Sequence, residues 1–256
     1  MVVNTLQLSI FLLIIARVAG IFMTVPILSD STVSRSFKAV FMVTLTFLLW
    51  FVVPFPESRI PQDMGMFMLN VGLEFLIGYM LGMVTKIVFC GIEAAGDIMG
   101  AQMGLSVASM LDPSTGRQTV VTARILRQVV IMLFLMIDGL HFVLTALYKS
   151  YDALPLLQTW NFSAAANQIA GSVGDIFAVA VQLAAPILLV IFLLDFAFGL
   201  VSRVAPQINV FQLGFQMKPA LGLFIFMLMI PLLLERITWI IGMMVERLMS
   251  VFFYMQ

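Results

Sequence analysis

Runs of roughly 20 mainly apolar residues recur along this chain, and that length is what a helix needs to cross a bilayer. The runs are Leu8–Leu28, Lys38–Phe55, Met66–Cys90, Ile125–Tyr148, Ile176–Val201 and the shorter Leu221–Leu234. A last stretch, Ile237–Tyr254, is apolar but carries Glu246 and Arg247, so it reads either as a seventh span or as an interfacial helix. The segments between them are turn-like or polar. Ser29–Ser36 is rich in Ser and Thr, Pro54–Gln62 holds three prolines, Ser150–Asp175 is long and mixed, and Ser202–Pro219 is polar with two prolines.

Composition makes the same point. With 26 charged side chains in 256 residues, against roughly a quarter in soluble domains, the chain cannot solvate a water-facing surface. A mean hydropathy of +1.12 makes it an integral membrane protein. Zero net charge argues against nucleic acid. A single cysteine, Cys90, excludes an internal disulfide, and a single histidine, His141, excludes a zinc site built from this chain's own His and Cys. Met1–Leu13 carries no charged side chain and so lacks the basic start of a cleavable signal. The expected architecture is all-α, about six to seven apolar helices in one membrane domain over 1–256. Within it, 1–95 and 125–256 are apolar helices on either side of a glycine-rich helix end and loop, 96–124. With six spans, seven basic residues (Arg35, Lys38, Arg117, Arg124, Arg127, Arg203, Lys218) share one side, which the positive-inside rule makes cytoplasmic.

Cys90–Gly116 departs most from the rest. Gly96, Gly100, Gly104 and Ala108 fall at four-residue spacing, one bare stripe on a helix, and such a stripe lets another backbone come close. The stripe runs into Asp112-Pro113-Ser114-Thr115-Gly116, where Pro113 disfavours a helical Asp112 and Gly116 permits a turn. A polar, glycine-rich, broken segment in so apolar a chain suggests a functional loop, a permeation path or a gate. Met99, Met103 and Met110 flank it and could make a deformable seal, although methionine is ordinarily plain filler.

Arg17, Glu74, Lys86, Asp138 and Asp195 sit inside apolar runs, where a lone charge is expensive. So many imply shielding by other subunits or by a watered interior. Glu74, Gly78 and Gly82 repeat the four-residue rule; the simpler reading is helix packing with Glu74 accepting from a neighbouring helix, and the sharper one is a proton or ion site. Asp138 and His141, three apart, suggest a structural pair at a helix break, with a proton relay as the alternative. Asp195 precedes Arg203 by eight residues, too far for a direct bond on a helix, so a partner chain is expected to supply its counter-charge. No His-Glu-x-x-His, phosphate-binding Gly-x4-Gly-Lys or Gly-x-Ser-x-Gly motif is present, so neither an enzyme nor a cofactor is expected.

Several blocks in order resemble one family, the FliR proteins of the flagellar type III export gate and their injectisome counterparts. They are Arg17 and Pro26, Glu74-x3-Gly78-x3-Gly82, Gly96 and Gln102-x-Gly104 leading to Asp112-Pro113, Gly139-x-His141, and Arg203-Val-Ala-Pro206-Gln207-Ile-Asn209-Val-Phe211-Gln-Leu-Gly214. The resemblance covers nearly the whole chain, and its last block is the most specific. It implies one copy assembled with FliP-like and FliQ-like membrane subunits and an FlhB-like protein in the bacterial inner membrane at the flagellar basal body. It implies helical hairpins in a pore wall for unfolded export substrates, and a plug loop at Leu105 to about Gln118. The sealing residues would then be Leu105, Ser106, Val107, Ala108, Ser109, Met110, Leu111, Asp112 and Pro113. Many relatives have large aromatics where this chain has Val107 and Met110, so closure here would rest on a mobile aliphatic and thioether cluster. Glu74, Gly78, Gly82, Gly96, Gly100 and Gly104 would serve helix packing and assembly. Arg17, Asp195, Arg203, Pro206, Gln207 and Asn209 would face partner chains. The alternatives are an ion- or solute-conducting transporter with Glu74 and Asp138 in its path, and an ungated assembly scaffold.

Overall fold

The computed structural model describes residues 5–30, 33–54, 63–106, 120–157 and 162–255. Among them every regular element is a helix: α1 Thr5–Thr24, α2 Pro26–Ser29, α3 Arg35–Val52, α4 Met64–Gln102, α5 Val121–Met136, α6 Gly139–Ala153, α7 Phe162–Val204 and α8 Val210–Met255. Five are long and apolar enough to cross a membrane, or six if α5 and α6 are counted as one broken span. The chain is an all-α membrane protein.

Helix ends follow local chemistry. Pro26 opens α2 at its first turn, where its missing N–H costs nothing. Ser34 caps α3 by accepting from the Phe37 N–H, and α3 stops at Val53, which is extended ahead of Pro54. Asn209 caps α8 by accepting from the Gln212 N–H at 3.2 Å. Asp138, with φ of 57°, breaks the Ile125–Tyr148 run between α5 and α6.

Three sequence expectations change. The stretches Leu221–Leu234 and Ile237–Tyr254 are one helix, α8, because the Glu235 and Arg236 side chains between them point off its exposed side and leave the backbone ladder uninterrupted. The long, mixed segment Ser150–Asp175 is helical at Ser150–Ala153 and again from Phe162 onward, and the polar segment Ser202–Pro219 is helical at Ser202–Val204 and from Val210 onward. Pro186, Pro219 and Pro231 all lie inside helices, as apolar helices tolerate when freed carbonyls find other partners.

The chain divides into two compact units: 1–87 with 135–173 and 242–256, and 88–134 with 174–241. In the first, α1 packs against α3, and its Ile10, Leu13, Ile14, Arg17, Val18 and Ile21 are buried. In the second, Ile92, Ala95 and Met99 make a fully buried stripe on α4 that Met103 continues just past its end, and Phe89 meets Phe134 of α5 edge-on at 5.4 Å.

Candidate functional site

In the first unit, a four-residue stripe on α4 lies against α1. A side chain on Gly78 would overlap the Arg17 carbonyl oxygen, and one on Gly82 the Thr24 hydroxyl. A side chain on Gly20 of α1 would reciprocally overlap the Phe75 carbonyl oxygen. Close approach of the backbones puts Glu74 one turn earlier on the same stripe, beside Arg17. Arg17 is fully buried, and Glu74 is 4% exposed.

Every guanidinium N–H of Arg17 is used. Its Nε donates to Glu74 Oε2 at 2.7 Å, and Nη2 lies 2.6 Å from the same oxygen. Nη1 donates to the carbonyl and the hydroxyl of Ser150, both at 3.0 Å, and Nη2 donates to the Leu154 carbonyl at 3.0 Å. The five N–H groups of an arginine are thereby accounted for. The Tyr151 ring lies under the guanidinium, 4.2 Å from its centroid. The Leu157 N–H donates to the Glu74 carboxylate. Leu157 holds a left-handed φ of 65°, a conformation rare for a branched residue. The charge is thus enclosed by α1, α4, the end of α6 and the four residues after it.

In the second unit the stripe continues down α4. Added side chains on Gly96 would strike the Ala123 backbone, and on Gly100 the side chains of Val120 and Thr122. Rising numbers on α4 meet falling numbers beyond it, so α4 and α5 run antiparallel as a hairpin. The Thr122 hydroxyl donates to the Gly96 carbonyl at 2.6 Å, and the Asp97 carboxylate accepts the Val120 N–H at the start of α5. At the tip of α4, the Leu105 N–H bonds the Gly100 carbonyl at 2.9 Å and the Gly104 N–H bonds the Ala101 carbonyl at 3.0 Å. Gly104 has φ of +78°. These are the two bonds of a Schellman cap with Gly104 at its left-handed position.

Beside that cap is a cleft of about 580 Å³. Gln102 at the end of α4 and Gly104 just past it line the cleft, with Asp195 and Gly199 from α7 and Phe211 and Lys218 from α8. Lys218 Nζ lies 2.6 Å from Asp195 Oδ1, with both side chains partly exposed. Glycine-rich helix end, intramembrane carboxylate and the start of α8 therefore meet at one place.

The sequence profile described as "Bacterial export proteins, family 1" matches residues 8–244. The chain is 31% identical over 217 residues to the flagellar biosynthetic protein FliR of Pectobacterium carotovorum subsp. carotovorum, covering 85% of this chain and 82% of that one. This chain belongs to the FliR family. It is likewise 30% identical over 230 residues to FliR of Escherichia coli (strain K12), covering 88% of this chain and 86% of that one. Yop proteins translocation protein T of Yersinia pestis is 31% identical over 216 residues, with 83% and 82% covered.

Within this FliR-family chain the structure redistributes several expected roles. Arg17 does not face a partner chain: it is fully buried, and Glu74, Ser150, Tyr151 and Leu154 surround it. Asp195 finds its counter-charge in this chain, on Lys218, because the α7–α8 turn folds the two helices side by side. Gly104 is not on the packing stripe; it lies past the end of α4, with no neighbour within 4 Å of an added Cβ among the described residues. Asp138 and His141 do not share a helical face, since Asp138 precedes α6 in a left-handed conformation, and both are exposed. Arg203, Pro206, Gln207 and Asn209 are exposed at the α7–α8 turn. Leu105 and Ser106 are seen, whereas Val107, Ala108, Ser109, Met110, Leu111, Asp112 and Pro113 lie outside the described residues. Sequence reasoning missed Gly20, Thr24, Ser150, Tyr151 and Lys218. The Gly20-x3-Thr24 spacing in α1 was the available signal for the first two.

Proposed function

We propose that this chain is a structural and gating subunit of a type III protein-export apparatus in the bacterial inner membrane. One copy lies in the wall of a pore with FliP-like and FliQ-like subunits and an FlhB-like protein, and the loop from Leu105 to Gln118 plugs that pore until an unfolded substrate passes. It does no covalent chemistry. One observation carries the reading: family membership shared by flagellar biosynthetic proteins and a Yop translocation protein, two systems whose common element is protein export.

The geometry supports it at two points. The loop leaves a rigid base, because Gly96 and Gly100 clamp α4 to α5 and the Gly104 cap ends the helix at a defined residue. Large apolar side chains stand exposed on α3, α7 and α8, with only 11%, 28% and 22% of the spanning stretches buried. Lipid and neighbouring subunits would cover them. A transporter reading draws less support, since Glu74 is occupied by Arg17 and Leu157.

The test is to solubilise the complex in detergent and measure its stoichiometry. One copy of this chain with several of two smaller hydrophobic proteins is expected; a symmetric homo-oligomer would overturn the assignment. Shortening the loop between Ser106 and Thr115, or changing Val107 and Met110 together to Gly, should leave the complex intact and make it leak ions, with Phe at both positions closing it again. A tight pore in the shortened variant would leave an ungated scaffold.

A further inference from the structure

In the first unit, α1, α2 and α3 line a second, open cleft of about 510 Å³. That is within the range of roughly 300–1,000 Å³ typical of small-molecule sites. Its wall is apolar: Ala19 and Phe22 from α1, Leu28 from α2, Ala39 and Met42 from α3. Its rim carries two cations, Arg35 and Lys38, in the first turn of α3. The Arg35 side chain is exposed and makes no hydrogen bond or ion pair among the described residues. Lys38 is half-buried and spends one donor on the Asp30 carbonyl at 2.6 Å, which holds its ammonium at the rim and leaves two donors. Asp30 is the acidic group nearest in the chain, and it engages partners of its own.

We propose that this cleft binds an anionic phospholipid, with the phosphate on Arg35 and Lys38 and an acyl chain along Phe22, Ala39 and Met42. Charge complementarity selects the occupant. A wholly apolar ligand leaves the two cations unused, and a free phosphate leaves the apolar wall wet, whereas a phospholipid satisfies both. Basic pockets between spanning helices on the cytoplasmic side hold acidic headgroups by the same chemistry. Counted over six spans, the loop charges place Arg35 and Lys38 on that side. The cleft lies wholly within the first unit, so the proposal stands apart from any role of the loop after α4.

The full-length chain, purified in detergent, is incubated with phosphatidylglycerol or with phosphatidylcholine, and retained lipid is counted by native mass spectrometry. Phosphatidylglycerol should be retained more tightly, by roughly fivefold for each basic side chain engaged. Arg35→Gln should lose about one such factor, and Arg35→Gln with Lys38→Gln the whole preference. Arg35→Lys with Lys38→Arg should keep it. Ala39→Phe, which fills the apolar wall and leaves both charges, should abolish retention of either lipid. Arg236→Gln, at an exposed arginine elsewhere, should change nothing. Equal retention of the two lipids by the native chain would overturn the proposal. So would phosphatidylglycerol held undiminished by Arg35→Gln, which removes an exposed side chain and threatens no fold. Undiminished retention by Ala39→Phe, or full competition by inorganic phosphate, would mean a headgroup contact without a lipid site.

Discussion

The Met103 side chain occupies the space that a Cβ on Gly222 would need: the added atom would overlap Met103 Cγ and lie 3.0 Å from its Sδ. Met103 is fully buried, so the residue just past the end of α4 is keyed into a notch on α8. Thioether chains bend, so Gly222→Ala should cost under about 1 kcal/mol, whereas Gly222→Val should cost about 1–3 kcal/mol through overpacking. Adding Met103→Ala to Gly222→Val should recover part of that loss. A double-mutant cycle on denaturant unfolding in detergent measures it, and strict additivity would refute the keyed contact.

Removing either half of the buried ion pair should be severe. Glu74→Ala leaves the Arg17 charge enclosed without its carboxylate, at a cost of about 3–5 kcal/mol. Arg17→Lys should be nearly as damaging, since one ammonium cannot reach Glu74, Ser150 and Leu154 together. Arg17→Met with Glu74→Leu should unfold at higher denaturant than either single change. If the double variant is the least stable, the pair contributes net stability rather than specificity.

The glycines of α4 should divide by mechanism. Gly96→Leu and Gly100→Leu should open the α4–α5 hairpin and abolish assembly, while Ile98→Leu is tolerated. Gly104→Ala should cost only about 1–2 kcal/mol, the strain of a left-handed L-residue, and Gly104→Asn less. Assembly yield and thermal stability together separate the two classes. Equal sensitivity of Gly100 and Gly104 to Ala would contradict the cap assignment.

Asp195 and Lys218 form a partly exposed pair, so in water their attraction is worth under about 1 kcal/mol. Asp195→Asn should therefore change the stability of the isolated chain little. Asp195→Lys with Lys218→Asp should restore whatever either single reversal loses, read as the yield of assembled complex. Failure of the reversed pair to rescue would place the functional partner of Asp195 on another chain after all.

Much of this was legible in the sequence, for reasons of side-chain chemistry. Glu74, Gly78 and Gly82 announced a packing face because a carboxylate and two bare positions at one spacing have few other uses in an apolar helix. The Asp138 break was visible for the same reason. The rest of the Arg17 enclosure was not, because Ser150, Leu154 and Leu157 serve partly or wholly through backbone groups, which every residue has. The sequence does not signal Lys218, because helical spacing relates Asp195 only to positions along its own helix, while its partner lies across a turn. The continuity of α8 was hidden by Glu235 and Arg236. Arg236 reaches the Gln182 side chain at 3.4 Å and stacks on Trp239, so a charge that reads as a boundary stays within the helix.

The length of α8 sets a further condition. Its apolar stretch, Val210–Met244, has 35 residues, about 52 Å of helix, while a bilayer's hydrocarbon is about 30 Å thick. Even a steep tilt of about 40° leaves it longer than the lipid is deep. Where kinks at Pro219 and Pro231 and local thickening of the bilayer do not absorb it, a surplus of oily helix stands beyond the hydrocarbon whenever the subunit is alone, exposed to chaperones and membrane proteases. The cellular amount of this chain should accordingly follow the supply of whatever covers that surplus, and synthesis beyond that supply should yield turnover in place of accumulation.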